Sequence, residues 1–94
     1  MPDDLRSVAV ERSEIEVGVR GVISARGKIS ADIGTLDSSR SLYDAGMTSH
    51  ATVKVMLGLE DQFGVEFPDE LLQRSVFDQV GTITSAIEKL LEEW

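Results

Sequence analysis

Ser49, in the run Gly46-Met47-Thr48-Ser49, is the residue whose type and place point most directly to chemistry. It stands between a polar connection and a segment whose apolar residues Val53, Met56, Leu57 and Phe63 read as one helical face. A serine that opens a helix sets its hydroxyl at the mouth of first-turn N–H groups, which lack partners within the helix and carry the positive end of its dipole. That place suits a covalently attached phosphate. The same serine can serve as a helix cap alone, a role worth about 1 kcal/mol. Ser38, Ser39 and Ser41 are further hydroxyls, but they lie in a polar connection and read as turn residues.

Other chemistry finds less support. His50 is the single histidine and adjoins Ser49, yet neighbouring helical positions do not face each other, and no third group is placed to orient a nucleophile–base pair. It reads as a surface contact. Glu60, Asp61, Glu66, Asp69 and Glu70 lack the spacing of a calcium loop and read as a solvated acidic face, so no metal site is expected. With no cysteine the chain has neither a disulfide framework nor a thiol nucleophile. Its 94 residues make one small domain with a thin core, too small for a large enclosed active site.

The formal net charge of −8 opposes nonspecific binding to nucleic acid or anionic membrane and favours partners with basic surfaces. No apolar run approaches the roughly 20 residues of a membrane span. Met1-Pro2-Asp3-Asp4 opens an acidic segment without the apolar stretch of a secretory signal, so a cytoplasmic chain is expected.

The elements that must position Ser49 follow from periodicity. Residues 1–12 have no clean period and read as a loose lead-in to a domain over 13–94. Ser13-x-x-Glu16 reads as a capping box, followed by Ile15, Val19, Val22 and Ile23 on one helical face. Gly18 and Gly21 weaken that helix but allow close packing, and Gly27 and Lys28 suit its end. Residues 30–48 form a long connection pinned by Ile33, Leu36, Leu42, Tyr43 and Met47. A second helix runs from Ser49 to Phe63, with Val53 and Met56 at least partly in the core, and Gly64 ends it. Pro68-Asp69-Glu70 starts a short helix with proline at its first position and Leu71 and Leu72 facing inward. Phe77 and Val80 anchor the core before a last helix whose stripe is Ile83, Ile87, Leu90, Leu91 and Trp94. No strand and no repeat is evident. The fold class is all-α: a four-helix bundle of three longer helices and one short one, with a long loop between the first two.

Two stretches then carry a resemblance. Asp44-Ala45-Gly46-Met47-Thr48-Ser49 with Val53, Met56-Leu57 and Leu59-Glu60 is followed by Phe63-Gly64-Val65-Glu66-Phe67-Pro68-Asp69-Glu70. In this order and spacing the chain resembles the acyl carrier proteins. The resemblance implies an acyl-carrier bundle and a 4′-phosphopantetheine, derived from coenzyme A, joined to Ser49 by a phosphodiester. Its terminal thiol would bear the cargo as a thioester, and partner enzymes would do the chemistry. Thr48 stands where such carriers commonly have Asp or His, and His50 where they have Leu or Ile. The second helix is also poor in the acids that fatty-acid carriers present to partners. Met47, Thr48, His50, Ala51, Thr52 and Lys54 are the expected partner contacts, Met47 being a better candidate than Val53 or Met56.

The run from Leu42 to Gly58, with Glu66-Phe67-Pro68-Asp69-x-Leu71-Leu72, is similar to small stand-alone aminoacyl carriers. This narrower resemblance implies a small amino acid as cargo, such as glycine or alanine. The implied partners are a phosphopantetheinyl transferase, an amino acid:[carrier protein] ligase related to seryl-tRNA synthetase, and a downstream acceptor enzyme, all acting on a non-catalytic monomer. The competing readings are a fatty-acyl or polyketide carrier and a cofactor-free helical interaction module.

Overall fold

Three of the apolar stripes fold as helices: α1 over Arg12–Arg26, α2 over Ser49–Phe63 and α3 over Val80–Glu92, with a 3-10 turn at Asp69–Leu71 between the last two. The computed structural model describes residues 11–92. Residues 1–10 of the expected lead-in, and Trp94 of the last stripe, lie outside them. No strand occurs among the described residues.

Among the described residues the bundle therefore has three helices rather than the expected four, the short fourth being only a 3-10 turn. Pro68 sits just before the 3-10 turn instead of inside a helix, and Leu72 leaves helical geometry at φ −87°, ψ 63°. Leu71 is half-buried against the core and Leu72 is 45% exposed, so of the two only Leu71 faces inward. With so little apolar surface to bury, this segment cannot offset the cost of nucleating a helix.

α1 is the helix that packs against both others. It buries Ile15, Val19, Val22 and Ile23, as periodicity predicts. Its start differs from the expected capping box: the helix begins at Arg12, capped by Glu11 without a side-chain hydrogen bond, and Ser13 lies inside it. Arg12 reaches across to α3, donating to Ser85 Oγ, Glu88 Oε1 and the Gly81 carbonyl. Against α2, two glycines set the spacing. A Cβ on Gly18 would lie 2.7 Å from the Phe63 ring, and one on Gly58 would lie 2.8 Å from Val22 Cγ1. Gly21, expected to share this role, faces open space.

α2 is where the predicted face fails. Its buried residues are Ala51, Val55, Gly58 and Leu59. Val53 and Leu57 are about half exposed, at 52% and 51%, and Met56 and Phe63 are partly buried. Gly64 ends the helix at φ 65°, donating to the Glu60 carbonyl. The Glu60 carboxylate in turn accepts the Phe67 N–H at 2.9 Å and steers the chain into the core. There Phe67 and Phe77 meet with ring centres 5.3 Å apart. In α3, Val80, Ile83, Ile87 and Leu90 are buried, and the buried Thr84 hydroxyl donates to the Val80 carbonyl.

The connection between α1 and α2 is pinned as expected, with Ile33, Leu42 and Met47 buried and Leu36 and Tyr43 packed beside them. Its polar clamp was not foreseen. Arg20 on α1 donates through Nη1 to the carbonyls of Ile33 and Leu36, both at 2.6 Å, and through Nε and Nη2 to Glu16 Oε2. A second tie joins the connection to the approach to α3. The Leu42 N–H donates to the Asp78 carbonyl and Ser41 Oγ to the Asp78 carboxylate, each at 2.6 Å. The Ser39 hydroxyl and N–H bind the Asp37 carboxylate and hold it below its ordinary range. Lowering the pH through that depressed range therefore weakens the two hydrogen bonds from Ser39 to Asp37.

Hydrogen bonds to a charged partner contribute about 1.5–3 kcal/mol, so Arg20→Ala is expected to lower stability in urea unfolding by about 2–3 kcal/mol. A loss below about 0.5 kcal/mol would mean that the apolar anchors hold the connection without the clamp.

Candidate functional site

Ser49 is presented by a short device built from its predecessors. Residues 41–46 coil into turns in which the Ala45, Gly46 and Met47 N–H groups donate back to the Ser41, Tyr43 and Leu42 carbonyls. Gly46 adopts φ 116°, a conformation that side chains disfavour, and so turns the chain inward. Met47 follows as a plug, 3% exposed. Thr48 then takes an extended conformation, and its Oγ1 accepts the Ala51 N–H at 3.0 Å.

The helix cap is thus Thr48, and Ser49 is the first helical residue. Ser49 is exposed, and among the described residues its hydroxyl makes no hydrogen bond. Thr48 also accepts the Thr52 N–H and the Thr52 hydroxyl on its carbonyl. This leaves the N–H groups of Ser49 and His50 as the first-turn donors without helical partners, beside a free hydroxyl. α2 has no acid in its first turn to compete with an anion there.

The other expected contacts divide. Thr48, His50 and Lys54 are exposed beside Ser49. Met47 and Ala51 are not available: each is 3% exposed and belongs to the core. An apolar residue directly before a capped helix is drawn inward once Gly46 turns the chain, which overturns Met47 as a contact and leaves Val53 the more exposed of the two. Thr52 is half-buried and engaged with Thr48. His50 makes no hydrogen bond to Ser49 among the described residues. Among the described residues, no group of three or more His, Asp or Glu side chains is placed to hold a metal ion.

A groove of about 420 Å³ opens beside the serine. It is lined by Ser49, Thr52, Val53 and Met56 of α2 and by Leu72, Gln73, Arg74 and Phe77 of the segment that follows. Tyr43 also lines it, with the Arg74 guanidinium carbon 3.8 Å from the centre of its ring. Sequence reasoning missed this groove. Tyr43 and Phe77 were legible as anchors, but nothing in the pattern marks Arg74, and Val53 and Leu72 were assigned to the core.

Among the described residues, Ser49 thus offers an exposed hydroxyl beside two first-turn N–H groups without helical partners, an arrangement that suits an attached anionic group. The chain belongs to the phosphopantetheine attachment site family, whose model matches residues 19–90. Membership brings with it a 4′-phosphopantetheine prosthetic group and a carrier's role rather than a catalyst's, which removes the cofactor-free module as a reading. The chain is 34% identical over 74 residues to the aminoacyl carrier protein of Agrobacterium fabrum, spanning 79% of this chain and 89% of that one. It is 24% identical over 84 residues to the mitochondrial acyl carrier protein of Neurospora crassa, spanning 89% of this chain and 59% of that one. Among solved structures it is similar to the Agrobacterium tumefaciens carrier protein crystallised with an engineered Bradyrhizobium japonicum glycine:[carrier protein] ligase and ATP. The TM-score is 0.77 at 32% identity, over 80% of this chain and 97% of that one. A solution structure of an Agrobacterium tumefaciens protein matches with a TM-score of 0.66 at 32% identity, over 82% of this chain and 93% of that one.

The residues present fit the group. The serine oxygen is accessible and carries no structural duty that a phosphodiester would break. Thr48→Ala is expected to lower stability by about 1 kcal/mol in chemical unfolding, with Thr48→Ser restoring it. If the alanine variant keeps full stability, Thr48 is not the cap.

Proposed function

We propose that Ser49 is the residue that bears the 4′-phosphopantetheine, through a phosphodiester at Oγ, and that the chain carries a small amino acid. The observation that carries this reading is the division of labour at the start of α2: Thr48 caps the helix and leaves the exposed Ser49 hydroxyl free. When bound, the prosthetic group supplies the thiol that this cysteine-free chain lacks, and the cargo rides on it as a thioester.

The aminoacyl cargo is supported by the 34% identity to an aminoacyl carrier protein and by the likeness to a carrier crystallised with a glycine:[carrier protein] ligase. On this reading a phosphopantetheinyl transferase transfers the phosphopantetheinyl group of coenzyme A to Ser49 Oγ, releasing adenosine 3′,5′-bisphosphate. An ATP-dependent amino acid:[carrier protein] ligase, related to seryl-tRNA synthetase, then loads the thiol, and an acceptor enzyme takes the aminoacyl group. The chain acts as a monomer in the cytoplasm. Among the described residues no helix is long and apolar enough to cross a membrane. Partners meet Thr48, His50 and Lys54 beside the serine, and the exposed Val53 and Leu57 extend that surface along α2. On this reading residues 13–94 form the carrier domain and residues 1–12 its lead-in.

A fatty-acyl or polyketide cargo is the second reading, favoured by the apolar walls of the groove beside Ser49. The acid-free first turn of α2 opposes it.

Incubation with coenzyme A, Mg²⁺ and a broad-specificity transferase is expected to raise the intact mass by one phosphopantetheinyl group, and Ser49→Ala to abolish the gain. Modification that persists in Ser49→Ala would sink the site assignment. Loading of the modified chain with glycine or alanine by an amino acid ligase, against loading with an acyl group by an acyl ligase, separates the two cargo readings.

A further inference from the structure

The groove beside Ser49 is apolar on its walls and charged at one place, where Arg74 lies over Tyr43. Stacking on an aromatic face holds a cation in position without neutralising it. Among the described residues Arg74 has no carboxylate within salt-bridge distance, although acids outnumber bases 17 to 9 in the chain. The two ion pairs that form among the described residues lie elsewhere, at Arg12–Glu88 and Arg20–Glu16. An unneutralised guanidinium thus faces a groove whose volume falls in the range of small-molecule sites, and the attachment serine lines the same groove.

We propose that Arg74, held on Tyr43, is a specificity-determining residue: it lets the groove receive uncharged or anionic parts of a group tethered to Ser49 and keeps a cationic aminoacyl end out. The proposal rests on the attachment reading above and on no assumption about which ligase loads the chain. A phosphodiester is an anion, and the rest of the pantetheine arm is uncharged, so both suit a guanidinium set above apolar walls. A glycyl group bound through its carboxyl carries a free ammonium. To enter the groove it would have to shed water against Met56, Leu72 and Phe77 and approach a like charge at Arg74. An acetyl group of nearly the same size meets neither obstacle. The arm can therefore rest on the protein while an aminoacyl end stays in solvent, where an acceptor enzyme reaches it.

The test uses the full chain loaded by a broad-specificity transferase from amino-coenzyme A analogues that hold acetyl or glycyl as a hydrolysis-resistant amide. Intact mass and amide ¹H–¹⁵N spectra are read at about pH 6.5, where an α-amine is protonated. The acetyl form is expected to shift the Leu72, Arg74 and Phe77 amides relative to the chain bearing the unloaded arm, and the glycyl form to leave them in place. In Arg74→Glu, whose exposed position spares the fold, the glycyl form should now shift these amides. Unchanged amides of α1 confirm that the variant is folded. Equal shifts from both cargoes in the wild-type chain, or a glycyl form that stays out in Arg74→Glu, overturn the selection by Arg74. A correct mass gain with no groove shift from either cargo overturns it as well and leaves the attachment reading standing. Absence of any mass gain overturns both.

Discussion

The guanidinium of Arg20 on the carbonyls of Ile33 and Leu36 is the contact on which the placement of the site depends. The segment between α1 and α2 is long and irregular, and its backbone polar groups need partners that no helix or sheet supplies. Arg20 provides them from α1, the helix that packs against both others. Glu16 holds the guanidinium from behind. Downstream, Asp78 fixes Ser41 and Leu42 to the approach to α3. With both ties made, the turn at Gly46 and the plug at Met47 reach the start of α2 in a defined position. The entropy of ordering so many residues is then offset by a few well-directed polar contacts and three buried anchors rather than by regular structure.

Fixing the start of α2 lets two adjacent hydroxyls take different roles. A hydroxyl that caps a helix is committed to a backbone N–H, and derivatising it removes the cap. Thr48 takes that duty and leaves Ser49 one position further on, exposed and unengaged. The helix end that favours an anion is thereby kept intact whether or not the serine is modified. The threonine that departs from the usual Asp or His of carrier proteins is, in this chain, the residue that makes the arrangement self-consistent.

Much of this was legible in the sequence, for physical reasons that also explain the failures. The stripes of α1 and α3 could be read because each buries one continuous face: Ile15, Val19, Val22 and Ile23 in the first, Ile83, Ile87 and Leu90 in the last. Gly64 could be read because only a left-handed residue ends a helix in that way. The start of α2 at Ser49 was legible through its flanking pattern, although Thr48 proved to be the cap. The clamp at Arg20 and the stacking of Arg74 on Tyr43 were not legible, because each joins residues far apart in sequence and leaves no periodic trace. The short fourth helix failed because proline and two acids signal a helical start without ensuring enough buried surface to continue it.

The misread face of α2 is the informative failure. Periodicity assigned Val53 and Leu57 to the core, yet they stand half exposed, as does Leu72 across the groove. Small residues, Ala51 and Gly58, take the buried positions instead and bring α2 close to α1. Burying a large aliphatic side chain contributes roughly 1.5–3 kcal/mol, a gain that a domain with so thin a core forgoes here. Sequences break their own patterning mainly where function requires it. Two of these residues line the groove beside Ser49, and the third lies on the same helix. The apolar surface withheld from the core is therefore placed where an attached arm and the enzymes that serve it can cover it.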